Sequence, residues 1–197
     1  VGSDMCIRDS YFYALSNYDD AKNFKVMRLE KDGFQNINNW EEVIEVRDTH
    51  YIDDMLTFNE FIVIQSRYDG IPIIEVFNFA NNTLNQIDMK DEVYDLGLVY
   101  NNNFDSSFFR YSYSSLKTSP QILKYDLFDN SNNVIWKKQV NNFTDTDYEV
   151  RRIKTVARDK TKVPVSIVYK KGLNLKNAPM LIYGYGSYGI NMDSGFR

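Results

Sequence analysis

The chain has 197 residues, 43% of them hydrophobic and 15% aromatic, with 15 Tyr and 13 Phe; a disordered polypeptide is poor in both, so this one buries a core. Its net charge of −4 is spread over interspersed acids and bases, which leaves no basic stripe able to displace counterions from nucleic acid. The single Cys6 excludes an internal disulfide and a cysteine-based zinc site and suits a reducing compartment, and no apolar run approaches the roughly 18 residues of a membrane span.

The first ten residues, Val1 to Ser10, show no basic stretch followed by an apolar one, so no signal peptide is visible in them, which says little about the full-length protein. They join abruptly to a strand-like pattern at Tyr11 and read as a truncation point or a scar. From there the chain repeats itself. Phe12-Tyr13-Ala14-Leu15-Ser16-Asn17 is followed by Phe24-Lys25-Val26-Met27-Arg28-Leu29. Phe61 to Ser66 is followed by Ile73 to Phe77, and Phe108 to Tyr113 by Gln121 to Leu127.

Each pair predicts two strands around a polar turn, because the segments are β-branched and aromatic, too short for ordinary helices, and in places strictly alternating. A second polar turn (Glu30 to Gly33, Ala80 to Asn82, Asp129 to Asn133) leads to a shorter third strand near Val43 to Val46, Leu84 to Ile87 and Val134 to Lys137. Asn fills many of these turns, since its short amide tolerates left-handed backbone. Further extended stretches, Ile52 to Phe58 and Val93 to Tyr100, fall between the repeats. Successive repeats begin at Phe12, Phe61 and Phe108. That period of roughly 47 to 49 residues is about the length of a four-stranded propeller blade and favours a β-propeller over a plain sandwich.

The pattern changes near Asp145 to Tyr148, which places a domain boundary near 146. Tyr148 to Ala157 and Lys162 to Tyr169 predict a hairpin around Asp159-Lys160-Thr161, with Pro164 near the start of its second strand, where a missing donor is tolerated. Ala178-Pro179-Met180-Leu181-Ile182-Tyr183 reads as a short, fully buried strand. It runs into Tyr183-Gly184-Tyr185-Gly186-Ser187-Tyr188-Gly189, whose three glycines mark a sharp turn or a close approach.

Two tempting motifs in that cluster fail. Gly184, Gly186 and Gly189 satisfy G-x-G-x-x-G, but tyrosines occupy the interior of a loop whose purpose is to let a pyrophosphate reach the main chain, and the preceding strands form no βαβ opening. Ser187 has Gly189 after it but Tyr185 before it, so it is no nucleophile elbow. His50, the only histidine, lies in the charged run Arg47-Asp48-Thr49-His50 and reads as a surface turn. Asp19-Asp20 and Asp53-Asp54 read as solvated turn acids, since no further ligand stands at a metal-binding spacing.

With these residues in view, the chain resembles the oligopeptidase B branch of the prolyl oligopeptidase family of serine peptidases. The resemblance covers nearly everything from Tyr11 to Arg197. It is carried by Arg110-Tyr111-Ser112-Tyr113-Ser114-Ser115 with Thr118-Ser119-Pro120, by Val156-Ala157-Arg158-Asp159, by Val163 to Tyr169, and by Leu181 to Gly189 with Met192-Asp193. The two Tyr-Gly pairs are shared with prolyl-cleaving members, whereas Ser187-Tyr188-Gly189 looks more like oligopeptidase B.

The resemblance implies a mostly β chain. Residues 1–145 would be about three C-terminal blades of a seven-bladed propeller, and 146–197 the first strands of an α/β-hydrolase domain. The loop after the third hydrolase strand helps form an oxyanion hole. By resemblance Tyr185 is the hole's side-chain donor and Tyr188 lines the primary specificity pocket. The family's G-x-S-x-G-G serine, its aspartate and histidine, and the acids that bind Lys or Arg side chains all follow the point where this chain stops. The expected parent is a cytoplasmic oligopeptidase cutting short peptides after Lys or Arg through an acyl-enzyme, with no cofactor or metal and no nucleic-acid or membrane partner. The fragment itself is expected to be inactive and, with an unclosed ring, to expose strand edges. The rival expectation is a non-catalytic propeller module that binds a peptide or protein.

Overall fold

The computed structural model describes residues 5–8, 11–33 and 36–197. Three four-stranded sheets follow one another, each with its strands in chain order. The first holds β1 (Met5–Arg8), β2 (Tyr11–Ser16), β3 (Lys25–Glu30) and β4 (Glu41–Ile44). The second holds β5 (His50–Thr57), β6 (Phe61–Tyr68), β7 (Ile71–Asn78) and β8 (Thr83–Gln86). The third holds β9 (Asp95–Leu98), β10 (Phe108–Ser114), β11 (Gln121–Asp126) and β12 (Asn132–Lys137). A hairpin of β13 (Tyr148–Val156) and β14 (Lys162–Lys170) completes the strands.

The repeat expected from the sequence is therefore real, but its unit needs one correction. The extended stretches assigned between repeats are the leading strands of the second and third sheets, β5 and β9. A strand is defined by the neighbour it bonds. His50 to Thr57 pairs antiparallel with Phe61 to Tyr68, a relation that a single segment does not display. Likewise Met5–Arg8, set aside as part of a terminal scar, pairs with β2 from Met5↔Ala14 to Arg8↔Tyr11; the rest of that ten-residue stretch lies outside the described residues.

By compactness the chain divides into two units. One comprises the residues up to Asp88 with Gly97–Tyr111 and Lys124–Asn133, and the other Met89–Leu96 with Ser112–Leu123 and Val134–Arg197. In the first unit β6 and β7 are buried along almost their whole length, which explains why they read as continuous apolar runs and not as alternating ones. One face of the second sheet meets the first: Ile52, Met55, Ile62, Ile64 and Phe77 cluster with Tyr13, Leu15, Val26 and Ile44. On β2 the buried residues alternate, Tyr13 and Leu15, as the two-residue period of a strand requires. Each fully buried Ile or Leu contributes about 1.5–3 kcal/mol of transfer free energy. Elsewhere in that unit Phe61 meets Phe128 edge-on at 5.2 Å and Phe109 packs on Tyr125 at 5.4 Å.

The turns confirm the asparagine reading. Asn82, Asn130, Asn142 and Asn177 take left-handed backbone, as do Asp19, Asp20 and Asp69. Asp69 and Gly70 (φ 50° and 78°) close the β6–β7 hairpin directly after Tyr68. Positive φ at both central residues gives a type I′ turn, whose twist matches that of the flanking strands.

In the second unit the predicted hairpin forms in full, from Tyr148↔Lys170 to Val156↔Lys162, with Pro164 opposite Lys154. Its turn is closed by the Lys160 N–H donating to the Ala157 carbonyl at 2.9 Å. The expected buried strand 178–183 does not form. That stretch has no regular structure, and Leu181 is 91% exposed. A parallel-type strand acquires its hydrogen bonds and its burial from neighbours on both sides, and among the described residues none lies beside it.

Candidate functional site

The Tyr183–Gly189 loop lies in the second unit and takes its shape from one tight turn. The Ile190 N–H donates to the Ser187 carbonyl at 3.1 Å, and the two residues between, Tyr188 and Gly189, have φ of 55° and 68°. Both central residues are left-handed, so this too has type I′ geometry. A tyrosine there is strained relative to glycine, asparagine or aspartate. The turn presents Tyr188 outward at 94% exposure, and Tyr185 is 51% exposed. A Cβ added at Gly184 or Gly186 would meet nothing within 4 Å. Backbone crowding within the described residues therefore does not account for those glycines. The loop's first residue, Tyr183, carries the Arg197 guanidinium over its ring at 4.5 Å.

The dinucleotide pattern lacks its structural setting, since neither a strand before the glycines nor a helix after them is present. His50 closes the expected turn, its N–H donating to the Arg47 carbonyl at 3.3 Å, and from there opens β5 and stacks on Tyr68 at 4.8 Å. Its Nδ1 lies 2.9 Å from the Thr49 hydroxyl. Burial, and then the Arg47 charge, hold its pKa below the usual histidine value. Asp53 pairs with the Arg67 Nε at 2.9 Å, and Asp54 accepts the Met55 N–H at 2.7 Å. The Asp53–Arg67 pair ties β5 to β6, whereas Asp54 bonds within its own strand. Among the described residues no group of three His, Cys, Asp or Glu could hold a metal, and no helix is long and apolar enough to cross a membrane.

A buried cluster in the second unit escaped the sequence reading. The Asp91 carboxylate accepts hydroxyls from Tyr113 and Thr118, each at 2.9 Å, and Lys117 Nζ stands 3.3 Å away. Burial alone would raise the Asp91 pKa, but these donors more than offset it and hold the carboxyl below the ordinary aspartate value. Tyr113 is pushed the opposite way by its own burial and by the adjacent negative charge. Asp91 sits in the charged run Lys90-Asp91-Glu92, and charged side chains are seldom fully buried unless paired. The available signal was the hydroxyl-rich Ser112-Tyr113-Ser114-Ser115 and Thr118-Ser119, which when buried demands an acceptor.

A family model described as the prolyl oligopeptidase N-terminal beta-propeller domain matches residues 4–139. The curated dipeptidyl aminopeptidase BI of Pseudoxanthomonas mexicana is 29% identical over 92% of this chain and 25% of its own length. Protease 2 of Moraxella lacunata is 25% identical over 96% of this chain and 28% of its own. The chain thus spans about a quarter of the length of these curated relatives. Among solved structures, oligopeptidase B from Trypanosoma brucei, with covalently bound antipain in a closed form, matches with a TM-score of 0.88 and 27% identity over 98% of this chain and 29% of that one. Oligopeptidase B from Leishmania major shares the fold at a TM-score of 0.87 and 24% identity, over 98% of this chain and 28% of that one.

Proposed function

The chain belongs to the prolyl oligopeptidase N-terminal β-propeller family, and from that premise we propose that it is part of a cytoplasmic serine oligopeptidase that cleaves short peptides after Lys or Arg. Residues 1–145 then supply late propeller blades, and 146–197 lead into an α/β-hydrolase domain whose Ser, Asp and His come from sequence beyond Arg197. The observation that carries this reading is the Tyr183–Gly189 loop, which follows three blade-like sheets and leaves Tyr185 half exposed and Tyr188 fully turned outward.

The chemistry follows from where charge develops. When a serine oxygen attacks the scissile carbonyl, the carbonyl oxygen becomes anionic. A phenol O–H at Tyr185, aimed at that position, donates a hydrogen bond that strengthens as the charge grows, so it stabilises the transition state more than the ground state. Tyr188 offers an aromatic face to the aliphatic stem and cationic head of a Lys or Arg side chain. The propeller restricts entry to short peptides.

The test is Tyr185→Phe in the full-length protein. Loss of one oxyanion donor costs on the order of 10²–10³ in kcat, with KM little changed; a fall of less than about threefold removes Tyr185 from that role. Peptides differing only in the residue before the cleaved bond test the specificity, and a preference for Pro over Arg or Lys would overturn it.

A further inference from the structure

Most of the chain from Gly172 to Ile190 is exposed, yet a few residues later it docks firmly. Gly195 is buried, and a Cβ built on it would lie 2.9 Å from Asp95 Oδ2, 3.2 Å from Asp95 Cβ and 3.2 Å from Ser114 Oγ. Asp95 belongs to β9 and Ser114 to β10, so a side chain here must turn the Asp95 carboxylate aside and press on Asp95 Cβ, which its strand holds in place. The neighbouring residues fasten the same spot. The Phe196 N–H donates to Ser114 Oγ at 3.3 Å, and Ser194 Oγ lies 2.8 Å from Ser166 Oγ on β14. The Phe196 ring stands edge-on to Phe143 at 5.0 Å and 82°. Beyond it, Arg197 reaches back over the Tyr183 ring at 4.5 Å. The residue that begins the glycine loop is thereby clasped to the residue that follows the docked segment.

We infer that Ser194–Phe196 is an anchor that sets the position of the Tyr185 loop, with Gly195 and Phe196 as positioning residues; its catalytic consequence rests on the reading of Tyr185 as oxyanion donor. Gly195 lets the backbone lie against β9 and β10 where a Cβ would crowd Asp95 and Ser114, and Phe196 fills the space beside Phe143. The Arg197–Tyr183 contact passes that fixed position to the start of the loop. The inference also gives a purpose to Ser114, which lies within the hydroxyl-rich motif and receives the Phe196 N–H where the Asp91 cluster takes its neighbours.

The experiment uses the full-length protein. Gly195→Ala and Phe196→Ala should each speed deuterium uptake in peptides spanning residues 183–197 by about tenfold or more while leaving β13 and β14 unchanged, the pattern of a local opening and not of global unfolding. The same variants should lower kcat by about tenfold or more with KM moving less than about threefold, since a displacement of 1 Å can cost about 10²-fold. In a Tyr185→Phe background neither should lower kcat further by more than about twofold, because residues that act through one group are not additive. Asp95→Ala combined with Gly195→Ala should recover part of the lost kcat, since the closest obstructing atom, Asp95 Oδ2, is gone while Asp95 Cβ and Ser114 Oγ remain. Should either variant fail to fold, Ser114→Ala removes only the acceptor of the Phe196 N–H and should show the same pattern more weakly. Unchanged uptake over 183–197 overturns the anchor. Faster uptake with a harmless Tyr185→Phe keeps the anchor and removes the oxyanion donor instead. An equal kcat loss with and without the Tyr185 hydroxyl overturns the claim that the anchor acts through that residue.

Discussion

The Arg47–Glu75 pair in the first unit makes an asymmetric prediction about which partner matters more. The Glu75 carboxylate is held in bidentate fashion by the Arg47 guanidinium, at 2.6 and 2.7 Å, and also accepts the Ser66 hydroxyl. The Glu75 side chain is 5% exposed and that of Arg47 27%. Arg47→Ala strands a buried carboxylate, a loss of about 3–5 kcal/mol for comparable pairs; because Ser66 still donates, the lower end applies. Glu75→Ala strands a guanidinium that can turn to solvent, and costs about 1–2 kcal/mol, the range of a lost hydrogen-bond partner. At about 1.4 kcal/mol per tenfold, protection of the β6 and β7 amides against hydrogen exchange, corrected for intrinsic rates, should fall about a hundredfold in the first variant and about tenfold in the second.

The two proteins should also differ in the sign of their pH dependence. In the native chain, burial alone would raise the Glu75 pKa, but the Arg47 and Ser66 bonds hold it below the ordinary value. Its contribution is therefore present above the unfolded pKa and lost as pH falls through the folded one. Without Arg47 the burial effect dominates and the folded pKa rises above the unfolded one. The loss caused by the substitution is then smallest at low pH, where Glu75 is neutral, and grows as pH rises through the raised folded pKa and Glu75 ionises without its partner. Equal losses at pH 5 and pH 8 for Arg47→Ala, or a Glu75→Ala variant as damaged as Arg47→Ala, would refute the reasoning.

Asp91→Asn replaces an acceptor-only group that serves two hydroxyls and a lysine, and should cost about 2–3 kcal/mol by leaving buried donors unmatched. It should be read as faster exchange over residues 112–118, and an effect below about 0.5 kcal/mol would contradict the cluster. His50 should titrate by NMR below the usual histidine value because burial and Arg47 both disfavour its charge, and Arg47→Ala should move its midpoint upward; no movement removes the Arg47 contribution. The 197-residue chain expressed alone should self-associate in light scattering, because Val134, Ile135 and Trp136 on β12 are all more than half exposed and an open sheet edge templates further pairing. A monodisperse monomer would contradict that.

What could be read from the sequence is what local chemistry enforces. The β2–β3, β6–β7 and β10–β11 pairs announce themselves because alternating or continuous apolar residues of β-branched and aromatic type have one low-energy use, a sheet, and because Asn and Asp tolerate the left-handed turns between them. The resemblance placed in motifs such as Tyr183 to Gly189 pointed to a peptidase family, and the family match over 4–139 bears out that membership. The leading strands β5 and β9 were misplaced because pairing, not composition, makes a stretch the first strand of a sheet. The run 178–183 looked like a core strand for the complementary reason: its apolar residues state what they could bury, and only neighbouring strands decide whether they do. Asp91 and Gly195 were invisible for a third reason. A carboxylate becomes a buried acceptor, and a glycine becomes indispensable, only through atoms far away in the chain. Phe196 meets Ser114 across 82 positions. The sequence by itself determined that this chain makes consecutive twisted sheets of propeller type, since strand propensity and turn chemistry act within a few residues of one another. Only the tertiary structure decided which charges are buried, which strand leads each sheet and what anchors the Tyr185 loop, because burial and steric exclusion are properties of atoms brought together from distant parts of the chain.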